Sequence, residues 1–154
     1  MATNEIHVTA TPEEVWDVLC DPYAYPRWVV GTDRTLEADT EWPQPGSKFK
    51  VHIAGPYSDY THSREVEPHQ KIVLDAAGGP FGAAHITITL RPEGLGTHVT
   101  ITEEPWGPVR PLNFFPPIHL AIKLRNVESL RRFKRIVETR AGQNRTHVHS
   151  SSPA

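Results

Sequence analysis

Cysteine is almost missing from this chain, and the single thiol, Cys20, rules out a disulfide framework and a cluster of thiolate metal ligands. Cys20 also falls in an apolar helical pattern with Val15, Trp16 and Leu19, which argues against a nucleophile there. No apolar run approaches the 18 residues needed to cross a bilayer, and the first residues lack the basic-then-apolar pattern of a secretion signal. The expectation is a soluble cytoplasmic protein. Net charge is also small, -2, which argues against nucleic acid as a partner. Several signatures are absent: a glycine-rich phosphate loop, GxSxG, HExxH, and any Cys/His spacing suited to metal. No cofactor and no metal are therefore expected.

Proline and glycine are present in number (15 and 10), and they punctuate the chain. Pro45-Gly46, Gly55-Pro56, Pro68-His69, Gly78-Gly79-Pro80 and Gly94-Leu95-Gly96 are turn sequences. Around and between them the spacing predicts strands at Glu5–Thr9, Arg34–Thr40, Lys48–Ala54, Ser58–Glu67, Lys71–Ala76, Ala83–Arg91 and Thr97–Glu104. Thr11-Pro12-Glu13-Glu14 is a helix start, with Thr11 as cap, proline at the first position and Glu14 three residues on. Asp21-Pro22 restarts a second short helix, which Gly31 ends.

After Pro116-Pro117 the pattern changes. From Ile118 to Arg140 the period is helical, a rod of about 34 Å at about 1.5 Å per residue. Ile118, Ile122, Asn126, Ser129, Leu130, Phe133 and Val137 share one face; Leu120, Leu124 and Val127 form a second stripe nearly opposite. Gly142 reads as the helix stop, with 142–154 a disordered tail. This helix concentrates positive charge: seven bases against Glu128 and Glu138 give +5, leaving the remainder of the chain at -7. The basic face is either solvated or makes a weak contact with anionic lipid, without stable membrane insertion.

The fold class that follows is α+β: a curved antiparallel sheet of six to seven strands around a long C-terminal helix, with two short helices after the first strand. A strongly curled sheet gripping one helix encloses space, and function is sought there. If Glu93 pairs with Gly96 across Gly94-Leu95, then Leu90 faces Val99, Ile88 faces Ile101 and Ile86 faces Glu103. Glu103 thus points with the aliphatic set, either solvated at the strand end or an acid at a cavity wall. Asn126 is the second polar residue on an apolar face and needs partners if buried.

The candidate ligand-binding set is Phe49, Val51, Ile86, Ile88, Leu90, Val99 and Ile101 on the sheet, with Ile122, Asn126, Leu130 and Phe133 on the helix. Tyr60 joins it from a strand whose inward face the pattern leaves open. Trp106, Phe114 and Phe115, in a proline-rich stretch, are either packing over the core or a lid at the mouth. Glu103 is the one candidate for acid/base catalysis.

The element order, with TPEEVWDVLCDPYAYPRWVVG (Thr11–Gly31), GTHVTITEEP (Gly96–Pro105) and RNVESLRRFKRIVE (Arg125–Glu138), resembles the SRPBCC superfamily, the START/Bet v 1-like helix-grip fold. Within it the chain looks most like the polyketide cyclase/dehydrase and lipid-transport-like group, over about residues 4–140. The resemblance implies a single domain, residues 1–141, with a cavity for a lipid, sterol, polyketide or aromatic. Trp16, Trp28, Gly31 and Asn126 match its motifs as architectural residues, and no catalytic residue carries over. Two functions stay open: a binding protein, monomeric or homodimeric, and a cyclase or dehydratase using Glu103.

Overall fold

The computed structural model describes residues 2–78, 82–108, 111 and 115–150. Seven strands form one antiparallel sheet in the order β1-β7-β6-β5-β4-β3-β2, with β1 spanning Ala2–Val8, β2 Arg34–Ala38, β3 Lys48–Ala54, β4 Tyr57–Glu67, β5 Lys71–Ala77, β6 Ala83–Glu93 and β7 Gly96–Trp106. Two short helices, α1 (Pro12–Leu19) and α2 (Tyr25–Trp28), follow β1, and α3 (Pro116–Ser150) closes the chain. The expected α+β helix-grip architecture is what forms.

Local chemistry explains the elements. The Thr11 hydroxyl accepts from the Glu14 amide at 3.2 Å while the Glu14 carboxylate accepts from the Thr11 amide at 3.3 Å, closing a capping box at the start of α1. The β6–β7 hairpin turns at Gly94-Leu95 with Glu93 opposite Gly96, so Leu90 faces Val99, Ile88 faces Ile101 and Ile86 faces Glu103. The outer face of the pair carries Thr87 opposite Thr102 and Thr89 opposite Thr100. Gly96 has a steric reason to be glycine: a Cβ there would sit 2.3 Å from the Val8 carbonyl oxygen.

The helix α3 lays Leu130, Phe133 and Val137 into the concave face, all nearly inaccessible. Phe133 meets Trp28 edge-on at 5.0 Å between ring centres, and Tyr25 meets Phe49 at 4.9 Å. Polar ties fix the helix along its length: the Thr9 amide donates to Glu138 at 2.9 Å, and the Val30 amide to the Ser129 hydroxyl at 3.1 Å.

One boundary differs from expectation. Gly142 does not end the helix; α3 continues to Ser150 with every residue from Gly142 on exposed. Gly142 does not adopt the left-handed conformation that a glycine stop requires, no proline follows within the helix, and the Thr146 hydroxyl donates back to the Gly142 carbonyl at 3.0 Å.

Candidate functional site

Where α3 crosses the sheet, a void is lined on its apolar side by Leu74, Ile86, Ile88 and Ile101 from β5, β6 and β7, and by Trp28 and Val29 from the α2 region. Its polar side is Tyr25, Glu103, Arg125, Asn126 and Ser129. The room in it is small, about 20 Å³, enough for a single water. A second, narrower gap lies between Leu19, Trp28, Val99, Leu130 and Phe133 and has no room even for that.

The centre of the polar side is Glu103, 6% exposed, brought inward by the hairpin register. Its Oε2 accepts from Arg125 Nη2 at 2.5 Å and from Asn126 Nδ2 at 3.0 Å. Asn126 Oδ1 in turn accepts from Arg125 Nη2 at 3.1 Å and Nε at 3.3 Å, so the three side chains form one closed network. The Arg125 side chain is 39% exposed and that of Glu103 8%, so Arg125 lies on the solvent side of the pair. A buried carboxylate needs such a cation, and the amide orients it.

Tyr25 adds a phenol. Burial pushes its pKa from 10 up to about 12, against the opposing pull of Arg125 and of the Thr61 hydroxyl bonded to it. Trp28 is 3% exposed and its indole Nε1–H has no hydrogen-bond partner among the described residues. Orphaned buried donors are rare in folded proteins.

The sequence-derived candidates divide between several places. Ile86, Ile88, Ile101, Glu103 and Asn126 meet at the larger void, and Val99, Leu130 and Phe133 at the narrow gap. Phe49, Val51 and Leu90 are buried in the core, and neither void is lined by them. Ile122 is half-buried and lines neither void, Phe115 is exposed, and Phe114 lies outside the described residues.

Two candidates belong to the other surface. Tyr60 faces outward: its hydroxyl donates to Glu37 at 2.7 Å, and Lys48 Nζ sits 4.5 Å over its ring. The inward residues of β4 are Thr61 and Ser63, because their parity, not that of Tyr60, meets the core. Trp106 is also outward, stacked on His85 at 5.5 Å and 46% exposed, since it is three residues from inward Glu103 along β7. It is therefore no wall of the mouth. The residues of the larger void that sequence reasoning missed are Tyr25, Trp28 as a lining group, Val29, Leu74, Arg125 and Ser129.

This arrangement can orient one polar group of a guest against an apolar wall. Among the described residues no group of three or more His, Cys, Asp or Glu side chains is placed to hold a metal ion. The model of the family described as "Activator of Hsp90 ATPase homolog 1-like protein" matches residues 9–115. The chain belongs to that family. The AHSA1-like family lies within the SRPBCC superfamily, so the helix-grip resemblance read from the three motifs holds at that level. The AHSA1-like chain is 27% identical over 143 residues to "Uncharacterized protein Rv2574" of Mycobacterium tuberculosis, across 84% of this chain and 81% of that one. It shares its fold with protein NE0264 of Nitrosomonas europaea (TM-score 0.69, 15% identity, 90% of this chain and 94% of that one). DynU16, a putative protein in the dynemicin biosynthetic locus, is similar too, with TM-score 0.65 and 19% identity over 91% of this chain and 48% of that one.

Proposed function

We propose that residues 1–141 form one cytoplasmic binding domain that holds a small hydrophobic molecule, a lipid, sterol, polyketide or aromatic, between the sheet and α3. The observation that carries this reading is the meeting, on one void, of an aliphatic wall and a single polar cluster, Glu103–Arg125–Asn126. Apolar burial at about 25 cal/mol per Å² would supply most of the affinity.

At about 20 Å³ the cavity is too small for such a guest, so binding requires the start of α3 to lift from the sheet. That part of the helix suits the motion. No described side chain before Asn126 in α3 is fully buried, and Leu120, Leu124 and Val127 are exposed. Its ties to the sheet include the Arg125–Glu103 pair and the Asn4 side chain, whose Nδ2 donates to the Lys123 carbonyl at 3.4 Å. The basic outer face of α3 supports a weak contact with anionic lipid, and no helix among the described residues is long and apolar enough to cross a membrane.

The test is a panel of fatty acids, sterols and aromatic polyketides, read by melting temperature and by native mass spectrometry of the purified protein. A true ligand at about 100 times its Kd adds about 2.7 kcal/mol, or about 5–11 °C for a chain of this size. No shift with any compound and no co-purified mass would end the binding reading.

A further inference from the structure

Resting on that reading, the lining also says what kind of molecule fits. Glu103 and Arg125 are the only formally charged residues of the described lining, and they neutralise each other at 2.5 Å. An anionic or cationic guest would have to break that pair or enter without a counter-charge, both costly in a site so little hydrated. Glu103 Oε2 is already held by both Arg125 and Asn126, so that oxygen is not free for a guest.

What remains available is donors. Trp28, which lines the void, has its buried Nε1–H without a partner among the described residues, and the Ser129 Oγ accepts from the Val30 amide, leaving its own O–H to donate. Only a guest that brings an acceptor relieves an orphaned N–H. We propose that this cavity selects an uncharged molecule with an apolar body and a carbonyl-type oxygen acceptor, a ketone, ester or quinone, and that Trp28 Nε1–H is the specificity donor. Free fatty acids and other carboxylates are thereby discriminated against.

Three probes of one size separate the possibilities: 2-acetonaphthone, 2-ethylnaphthalene and 2-naphthoate. Affinities are measured by titration of the whole chain, and the Trp28 indole N–H resonance is followed in a nitrogen-correlated spectrum, assigned through Trp28→Phe. The ketone should bind about 2- to 10-fold tighter than the hydrocarbon, the range of one neutral hydrogen bond, and naphthoate should bind weakest. The Trp28 N–H peak should move with the ketone and not with the hydrocarbon, and Trp28→Phe should erase the preference. Should Trp28→Phe fold poorly, Trp16→Phe, Trp42→Phe and Trp106→Phe assign the Trp28 peak by elimination, and that peak in the unaltered protein still decides. Naphthoate binding tightest, or a ketone preference with an unmoved Trp28 peak, overturns the assignment and leaves the cavity reading standing. If none of the three binds, the cavity reading falls and takes this inference with it.

Discussion

Removing Arg125 should harm the protein more than removing the carboxylate it serves. Glu103 is 6% exposed and depends on Arg125 and Asn126 for both contacts to its Oε2, whereas the Arg125 side chain is 39% exposed and has water within reach if left alone. Breaking a fully buried pair from one side costs about 3–5 kcal/mol. The partly exposed Arg125 side chain argues for discounting that to about 2 kcal/mol for Arg125→Met. Glu103→Gln keeps the shape and an acceptor oxygen, so about 1 kcal/mol is expected. The double variant should cost little more than Glu103→Gln alone, because the stranded carboxylate is the expensive species and it is gone. Urea unfolding of the four proteins gives the cycle, and melting should track it at about 2–4 °C per kcal/mol. A double variant whose cost equals the sum of the two singles would refute the coupling on which the polar side of the site rests.

Two glycines should respond in opposite directions to alanine. At Gly96 the new methyl would meet the Val8 carbonyl at 2.3 Å and the His7 ring at 2.8 Å, so Gly96→Ala should cost about 1–3 kcal/mol by pushing β1 off β7. At Gly142 nothing lies within 4 Å and the backbone is helical, so Gly142→Ala should add about 0.5–1 kcal/mol; equal melting shifts for the two would contradict this. Tyr25 makes a prediction in pH. Its phenol keeps its proton to about 12 in the folded chain and to 10 in the unfolded one, so its contribution is intact below pH 10 and is lost as pH rises toward 12. Alkaline unfolding should therefore be steeper in the native chain than in Tyr25→Phe; the same slope in both would show the phenol to be open to water.

Much of the fold can be read in the chain because its signals are local. Thr11 to Glu14 spells a capping box, and Gly94-Leu95 between alternating runs sets a register that places Glu103 inward. The same register places Trp106 outward, three positions on, a signal that was present but outweighed by the apolar content of the following loop. The candidate site is less legible because its parts come from different elements. Glu103 and Asn126 each stand out as polar residues on apolar faces, but their hydrogen bond joins positions 23 apart. Arg125 looks like one more base on a charged helix until the carboxylate opposite is known. Tyr25 sits in a four-residue helix too short to carry a period, and Tyr60 on a strand whose two faces are equally polar.

The sheet begins where the site is. Ala2, the first residue of β1, is nearly inaccessible and lies directly opposite Glu103 across the β1–β7 pair. Anything fused ahead of it would emerge beside the carboxylate, within reach of the entrance that Arg125 guards. The far end of α3 runs clear of the body after Ala141. A purification handle, a fluorophore or a surface tether belongs on that projecting helical end, and one placed at the other terminus would report on its own interference.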